Sequence, residues 1–314
     1  MSTSAAVQNV ETAGKANLVR GGITAAIGCY LIWGFLPLYF RAVGHVGPFE
    51  VIANRILWSL ILLLLILSLR GTFGNFTRML GNGKTLLALT GTSTLIAINW
   101  LTYVWAVNNE HVVAASLGYF LNPLVNILLG FVILKERLGR FQWIAVGLTA
   151  IGVAIMAGSA LDTLWISLAL AFSFGFYGLV RKMTAATALQ GLAAETLILT
   201  PPALAYMTWL AASGSLALGT DVTTTGLLAL SGVVTSVPLL LFAVATKRMA
   251  YSTLGLVQFI APTLQFLLGI FVFGETLNSG QLWSFVLIWA GLVLYTVDSL
   301  RQARSAHPSI PAIE

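Results

Sequence analysis

The chain has 314 residues, 58% of them hydrophobic and 8% charged, with a mean hydropathy of +0.92 and a formal net charge of +6. Soluble domains carry about 25% charged residues, so 16 basic and 10 acidic side chains cannot cover a water-exposed surface of this size. The balance excludes a soluble domain, a disordered chain and a nucleic-acid-binding module, and the lone Cys29 excludes a disulfide scaffold and a cysteine metal site. What remains is an integral membrane protein.

Residues 1–21 are polar, carry Lys15 and Arg20, and read as a cytoplasmic tail. Runs of roughly 17–25 mostly apolar residues can cross a ~30 Å hydrocarbon core as helices. Ten such runs follow, at 22–40, 48–69, 85–107, 112–134, 141–158, 164–180, 191–212, 224–246, 251–273 and 281–299. They are continuous, without the alternation of a β-barrel, so the expected fold is an all-α polytopic membrane protein. The first run is too long for a signal-peptide core and is expected to stay as a span. Residues 300–314 form a second cytoplasmic tail, and no connection has room for a nucleotide-binding domain.

Charge orients these spans. With the N-terminus inside, 14 of the 16 Lys and Arg fall in inside segments, leaving Arg41 outside and Arg55 within a span. A missed or invented helix would scramble this positive-inside pattern. Both termini are therefore expected in the cytoplasm, and the membrane is expected to be the cell's cytoplasmic (inner) membrane. The excess of basic residues reports orientation; it does not indicate a nucleic-acid partner.

The chain also reads as a duplication. Pro123 and Pro262 lie 139 residues apart, and the same offset sets Gly130 on Gly269, Glu136 on Glu275 and Gln142 on Gln281. Earlier, an offset of 141 sets Gly34 on Gly175, Phe35 on Phe176 and Leu38 on Leu179. The expected units are residues 22–158 and 159–299, each with five spans. An odd number of spans forces the two halves into opposite orientation, as in many transporters.

The strings YLIWGFLPLYF (30–40), NRILWS (54–59), INWLTYVWAVNN (98–109) and ASLGYFLNPLVNILLG (115–130) resemble the RarD-type permeases. So do FYGLVRK (176–182), VTSVPLL (234–240) and LGLVQFIAPTLQFLLG (254–269). These permeases form part of the ten-helix EamA branch of the drug/metabolite transporter superfamily. The resemblance spans about residues 22–300 and implies a cavity lined by the first, third, fourth, sixth, eighth and ninth spans. Its name implies a link to chloramphenicol. One departure is Asn54, where many relatives are expected to carry His.

Those six spans hold the polar and aromatic residues that a solute cavity needs. In the fourth, Ser116, Tyr119, Asn122 and Asn126 share one helical face around Pro123. In the ninth, Gln258, Pro262 and Gln265 occupy the equivalent positions. Trp33, Asn99, Tyr103 and Tyr177 lie deep enough for an aromatic pocket with polar handles. Tyr39 and Trp105 fit the interfacial belt instead. Pro37, Pro123, Pro238 and Pro262 are expected to kink their helices. The competing reading of the Asn and Gln residues is interhelical hydrogen bonding.

Arg55 and Glu195 are ionisable residues inside spans, each costing about 2.5–3.5 kcal/mol at a helix centre. Arg55 lies roughly 10 Å deep from the outer face and Glu195 about 6 Å from the inner, at 1.5 Å per residue. They are therefore expected to stay unpaired with each other, on opposite sides, either as gating or coupling elements or as side chains that snorkel or cap neighbouring helices. No span holds a His or two carboxylates, which argues against an intramembrane enzyme. The expected function is a permease that moves a small organic solute (a metabolite, amino acid or amphipathic drug) by alternating access. A channel is the alternative, no cofactor is expected, and membrane lipid is the one other partner. Solute, direction and oligomeric state stay open.

Overall fold

The computed structural model describes residues 2–109, 111–158, 161–274 and 279–305. Their side chains are described from residue 18 to 298, apart from 107, 108, 112–114, 116, 161, 279, 281 and 296. Among the described residues all regular structure is helical. The order is α1 (Ser2–Ala42), α2 (Pro48–Leu69), α3 (Phe73–Leu80), α4 (Gly83–Asn108), α5 (Val112–Val132) and α6 (Arg140–Ala157). A 3-10 turn at Leu161–Thr163 leads to α7 (Leu164–Met183), α8 (Ala188–Ala212), α9 (Val222–Arg248), α10 (Tyr251–Val257), α11 (Ile260–Phe271) and α12 (Ser279–Ser305).

Seven described helical segments are long and apolar enough to cross a membrane: those of α1, α2, α4, α6, α7, α9 and the α10–α11 pair. Shorter apolar stretches lie at Leu117–Val132 in α5 and Leu282–Tyr295 in α12. In α8, Gln190, Glu195, Thr196 and Thr200 dilute an otherwise apolar sequence. Large apolar side chains point outward on many helices, among them Leu65, Leu87, Leu101, Ile151, Trp165, Trp209 and Val293. Asn54, Thr92, Asn99, Asn122, Asn126, Arg181, Glu195 and Ser236 are buried inside. The interior is mostly apolar with polar groups set into it, and the coat is apolar as well, so the outer surface belongs in lipid.

The chain departs from the sequence expectation in three places. Helix α1 starts at Ser2, so the polar N-terminal segment is helical and runs into the first apolar run without a break. The connection after α2 holds a short helix, α3, whose Phe76 is buried against the bundle. The ninth apolar run is two helices. Pro262 has no N–H to offer the Gln258 carbonyl, and the ladder tightens to i→i−3 bonds, Phe259 to Leu256 (3.1 Å) and Ala261 to Gln258 (3.1 Å). Pro37, Pro123 and Pro238 instead sit inside unbroken helices.

Packing pairs the helices in a reciprocal way. Helix α6 packs on α12, α2 on α8 and α5 on α10; α1 packs on α9 as α4 does on α7, and α5 on α7 as α1 does on α11. The close approaches are reciprocal too. A β-carbon on Gly152 of α6 would sit 2.8 Å from the Ser284 carbonyl of α12, and one on Gly291 of α12 2.7 Å from the Ala145 carbonyl of α6. Likewise a β-carbon on Gly34 would lie 2.7 Å from Leu264 Cβ, and one on Gly175 2.6 Å from Val125 Cγ1. Only glycine lets these backbones meet.

Three contacts tie helix ends together. Lys135, with φ 56°, turns the chain after α5 so that Glu136 reaches the start of α10. There its carboxylate accepts from Tyr251 N (2.6 Å), Ser252 N (2.8 Å) and Ser252 Oγ (2.6 Å), satisfying donors a helix N-terminus leaves open. Glu50 of α2 accepts from Ala217 N (2.9 Å) and Leu218 N (3.0 Å) in the α8–α9 connection. Lys182 of α7 donates to the Thr246 and Met249 carbonyls at the end of α9, while Lys247 of α9 donates to those of Thr184 and Ala186 just past α7. Each lysine thus sits on the negative end of the other's helix.

Candidate functional site

A cavity of about 310 Å³ lies at the centre of the bundle. Tyr30, Trp33, Leu36 and Phe40 of α1, Arg55 of α2, and Asn99, Trp100 and Tyr103 of α4 form much of its wall. Tyr119 and Asn122 of α5, Phe174 of α7, Leu239 of α9, and Gln258, Pro262 and Gln265 of the α10–α11 pair complete it. At one end it reaches Val43, Gly44 and Val46 in the α1–α2 connection.

The other end stops at an aromatic layer. Trp33 meets Phe174 edge-on at 5.5 Å and Phe242 at 5.8 Å, Phe174 and Phe242 lie 5.0 Å apart, and Tyr177 stacks on Phe242 at 6.0 Å. Phe242 and Tyr177 are fully buried, so these rings shut the cavity off from what lies behind them.

Behind the layer is a buried charge network. Glu195 of α8 accepts from the Thr92 hydroxyl (2.6 Å) and the Tyr177 hydroxyl (3.2 Å), and its Oε1 lies 3.5 Å from Arg181 Nε. Both charged side chains are essentially without exposure, at 0% and 2%. Arg181 also donates from Nη2 to the Ala188 carbonyl (3.1 Å). Gly191 makes room for it, because any β-carbon there would overlap the guanidinium. Arg181, one of the cations of the positive-inside pattern, turns inward in the last turn of α7. Nothing in the VRK string at the end of that span marks this. The glycine one helix away is the nearest thing to a signal.

The expected site residues fall into three groups. Trp33, Asn99, Tyr103, Tyr119, Asn122, Gln258 and Gln265 come together on the cavity wall, with Arg55. Asn126 and Tyr177 do not reach it. Asn126 is fully buried and donates to Gln258 Oε1 (2.7 Å), so it acts through its neighbour, and the Tyr177 hydroxyl is turned to Glu195. The Ser116 side chain lies outside the described residues. Glu195 is likewise behind the floor, away from the wall. Arg55 and Glu195 are unpaired with each other, each having its own partners.

The wall's polar groups are partly committed. Asn99 Nδ2 donates to the Leu170 carbonyl (2.9 Å) and Ser173 Oγ (3.0 Å), and Gln265 Nε2 to the Trp33 carbonyl (3.0 Å). These bonds fix the side chains and leave their oxygens available. Among the described residues Asn122 Oδ1 finds no donor. The Arg55 guanidinium lies over the Trp100 ring at 4.6 Å and the Phe40 ring at 5.7 Å, and Nε donates to Thr235 Oγ1 (2.8 Å). Among the described residues no group of three or more His, Cys, Asp or Glu is placed to hold a metal. An apolar pocket with a few fixed polar groups is the usual form of a small-molecule site.

Comparison with known proteins agrees with this architecture. Residues 20–158 match the model of the EamA-like transporter family. The chain is 42% identical over 297 residues to protein RarD of Streptomyces exfoliatus, covering 94% of both chains. It is 39% identical to protein RarD of Escherichia coli (strain K12), over 92% of this chain and 98% of that one. A chloramphenicol-sensitive protein RarD of Pseudomonas aeruginosa is 27% identical over 90% of this chain and 96% of its own. A solved crystal structure shares the fold, with a TM-score of 0.68, 16% identity, and coverage of 88% of this chain and 97% of that chain.

Proposed function

From the fact that the chain belongs to the RarD-type permeases of the drug/metabolite transporter superfamily, we propose that it carries a small organic solute across the cytoplasmic membrane by alternating access. It is a multi-pass membrane protein of a transporter family, so transport and not catalysis is the frame. The observation that carries the reading is a cavity open toward one end of the bundle and shut at the other by stacked rings over a buried ion pair. A channel needs a continuous path, and the aromatic layer interrupts one.

In this reading ten spans form two inverted repeats, residues 22–158 and 159–299, with both termini cytoplasmic. Support comes from the reciprocal packing: exchanging α1, α2, α4, α5 and α6 for α7, α8, α9, α10–α11 and α12 maps the α6–α12, α2–α8 and α5–α10 pairings onto themselves, α1–α9 onto α4–α7, and α5–α7 onto α1–α11. Gly152 and Gly291 obey the same 139-residue offset as Pro123 and Pro262. Inverted halves give two packings of similar energy, one open to each side. Solutes of the size of an amino acid or of chloramphenicol suit the cavity, the latter suggested by the Pseudomonas relative's name.

Two measurements test this. In a Cys29→Ala background, cysteines at Ser215 and at Asn75, both on exposed connections, are expected to label from outside and inside respectively. Labelling of both from one side defeats the topology. In proteoliposomes loaded with unlabelled solute, a labelled solute is expected to accumulate transiently by counterflow. Flux that neither saturates nor shows counterflow identifies a channel.

A further inference from the structure

The cavity wall carries a single formal charge. Its described lining includes no Asp, Glu or Lys, and Arg55 is the one ionisable group that is charged at neutral pH. Among the described residues the one salt bridge is Arg181 with Glu195, behind the aromatic layer, so Arg55 has no carboxylate within 4.0 Å. Among the described residues its hydrogen bond is from Nε to Thr235 Oγ1, and neither terminal nitrogen of the fork has an acceptor there. It lies well inside α2, which runs from Pro48 to Leu69, and two rings hold it from the sides.

A half-buried cation inside a membrane-spanning helix, one that neither pairs nor reaches a helix end, is costly, and the fold does not require one here. The position related to Arg55 by the 141-residue offset is Thr196, which bonds the Leu192 carbonyl of its own helix at 3.0 Å. The charge therefore serves the cavity and not the repeat. A guanidinium held between aromatic faces presents its remaining N–H groups in a fixed plane, the geometry that a carboxylate meets with two parallel hydrogen bonds. A cationic solute would be repelled, and a neutral one would leave those donors to water.

We propose that the cavity selects amphipathic organic monoanions, with the carboxylate on Arg55 and an apolar body against Trp33, Trp100 and Phe174. This rests on the reading of the cavity as the transport site, and narrows its solute class.

The test compares indole-3-acetate and phenylacetate with their neutral amides, with tryptamine and phenylethylamine, and with inorganic phosphate. Binding to the full chain in detergent is measured by calorimetry and by the shift in thermal unfolding. For wild type, the carboxylates are expected to bind about tenfold or more tightly than the matched amides, with no binding of the amines. Arg55→Gln is expected to erase that preference and Arg55→Lys to retain part of it, since a lysine keeps the charge and loses the fork. The inference is overturned if wild type binds no carboxylate, binds amides or amines as well, or binds phosphate as tightly as the organic acids. It is also overturned if the preference survives Arg55→Gln. The wild-type comparison stands even where a variant does not fold. Counterflow of acid and amide alike would leave transport intact and remove the charge selection. Selective binding without counterflow would do the reverse.

Discussion

Glu195→Ala is expected to destabilise the protein by about 3–5 kcal/mol, because it leaves Arg181 charged and unpaired in a site with no exposure. The Thr92 and Tyr177 hydroxyls lose their acceptor at the same time. Arg181→Leu is expected to cost a similar amount by stranding the carboxylate. The two changes are strongly coupled, so the double variant Arg181→Leu/Glu195→Ala should be more stable than either single one. Thermal unfolding in detergent, followed by tryptophan fluorescence, measures all three. Single variants that melt with wild type would show that the pair does not hold the bundle shut below the aromatic layer.

Gln258→Ala and Asn122→Ala are expected to reduce solute uptake by about tenfold or more, equivalent to roughly 1.4 kcal/mol, at near-normal membrane abundance. Both side chains line the cavity, and Asn122 Oδ1 has no protein donor to lose. Asn126→Ala should have a smaller effect on uptake, since it removes only the bond that steadies Gln258. Initial rates in proteoliposomes, normalised to reconstituted protein, decide the order. Asn126→Ala matching or exceeding the two wall variants would move the site away from this face.

Much of this was legible in the residues. The second apolar run, 48–69, coincides with α2 because Pro48 suits the first helical position, where its missing N–H costs nothing, and Arg70 and Gly71 end the apolar stretch. Helical spacing and depth brought Trp33, Asn99, Tyr103, Tyr119, Asn122, Gln258 and Gln265 to one wall. Depth also kept Arg55 and Glu195 apart. The misses have local causes. Asn122 and Asn126 share a face in projection, but α10 packs so closely on α5, with Gly255 against the Pro123 carbonyl, that Asn126 is covered. Tyr177 is one turn past Phe174 and falls in the ring layer itself, its hydroxyl turned away from the cavity to Glu195. The inward turn of Arg181 is decided by a carboxylate 14 residues later and a glycine on another helix, a pairing no spacing rule contains. Pro123 and Pro262 occupy equivalent positions, yet only the second follows a break, because the chain around Gln258 tightens and the chain around Tyr119 does not.

That break has a mechanical consequence when set beside Glu136. The carboxylate grips the first two amides of α10, so the stub Tyr251–Val257 is latched to the segment that leaves α5. Beyond residues 258–259 the chain is free of that latch, and α11 packs on α1 instead. The molecule thus has an elbow at the level of its cavity: one forearm is fixed to the end of α5, the other rides with α1. Bending there would swing Gln265 relative to Gln258, so the two amides on the cavity wall would change their separation without any side chain having to leave its helix.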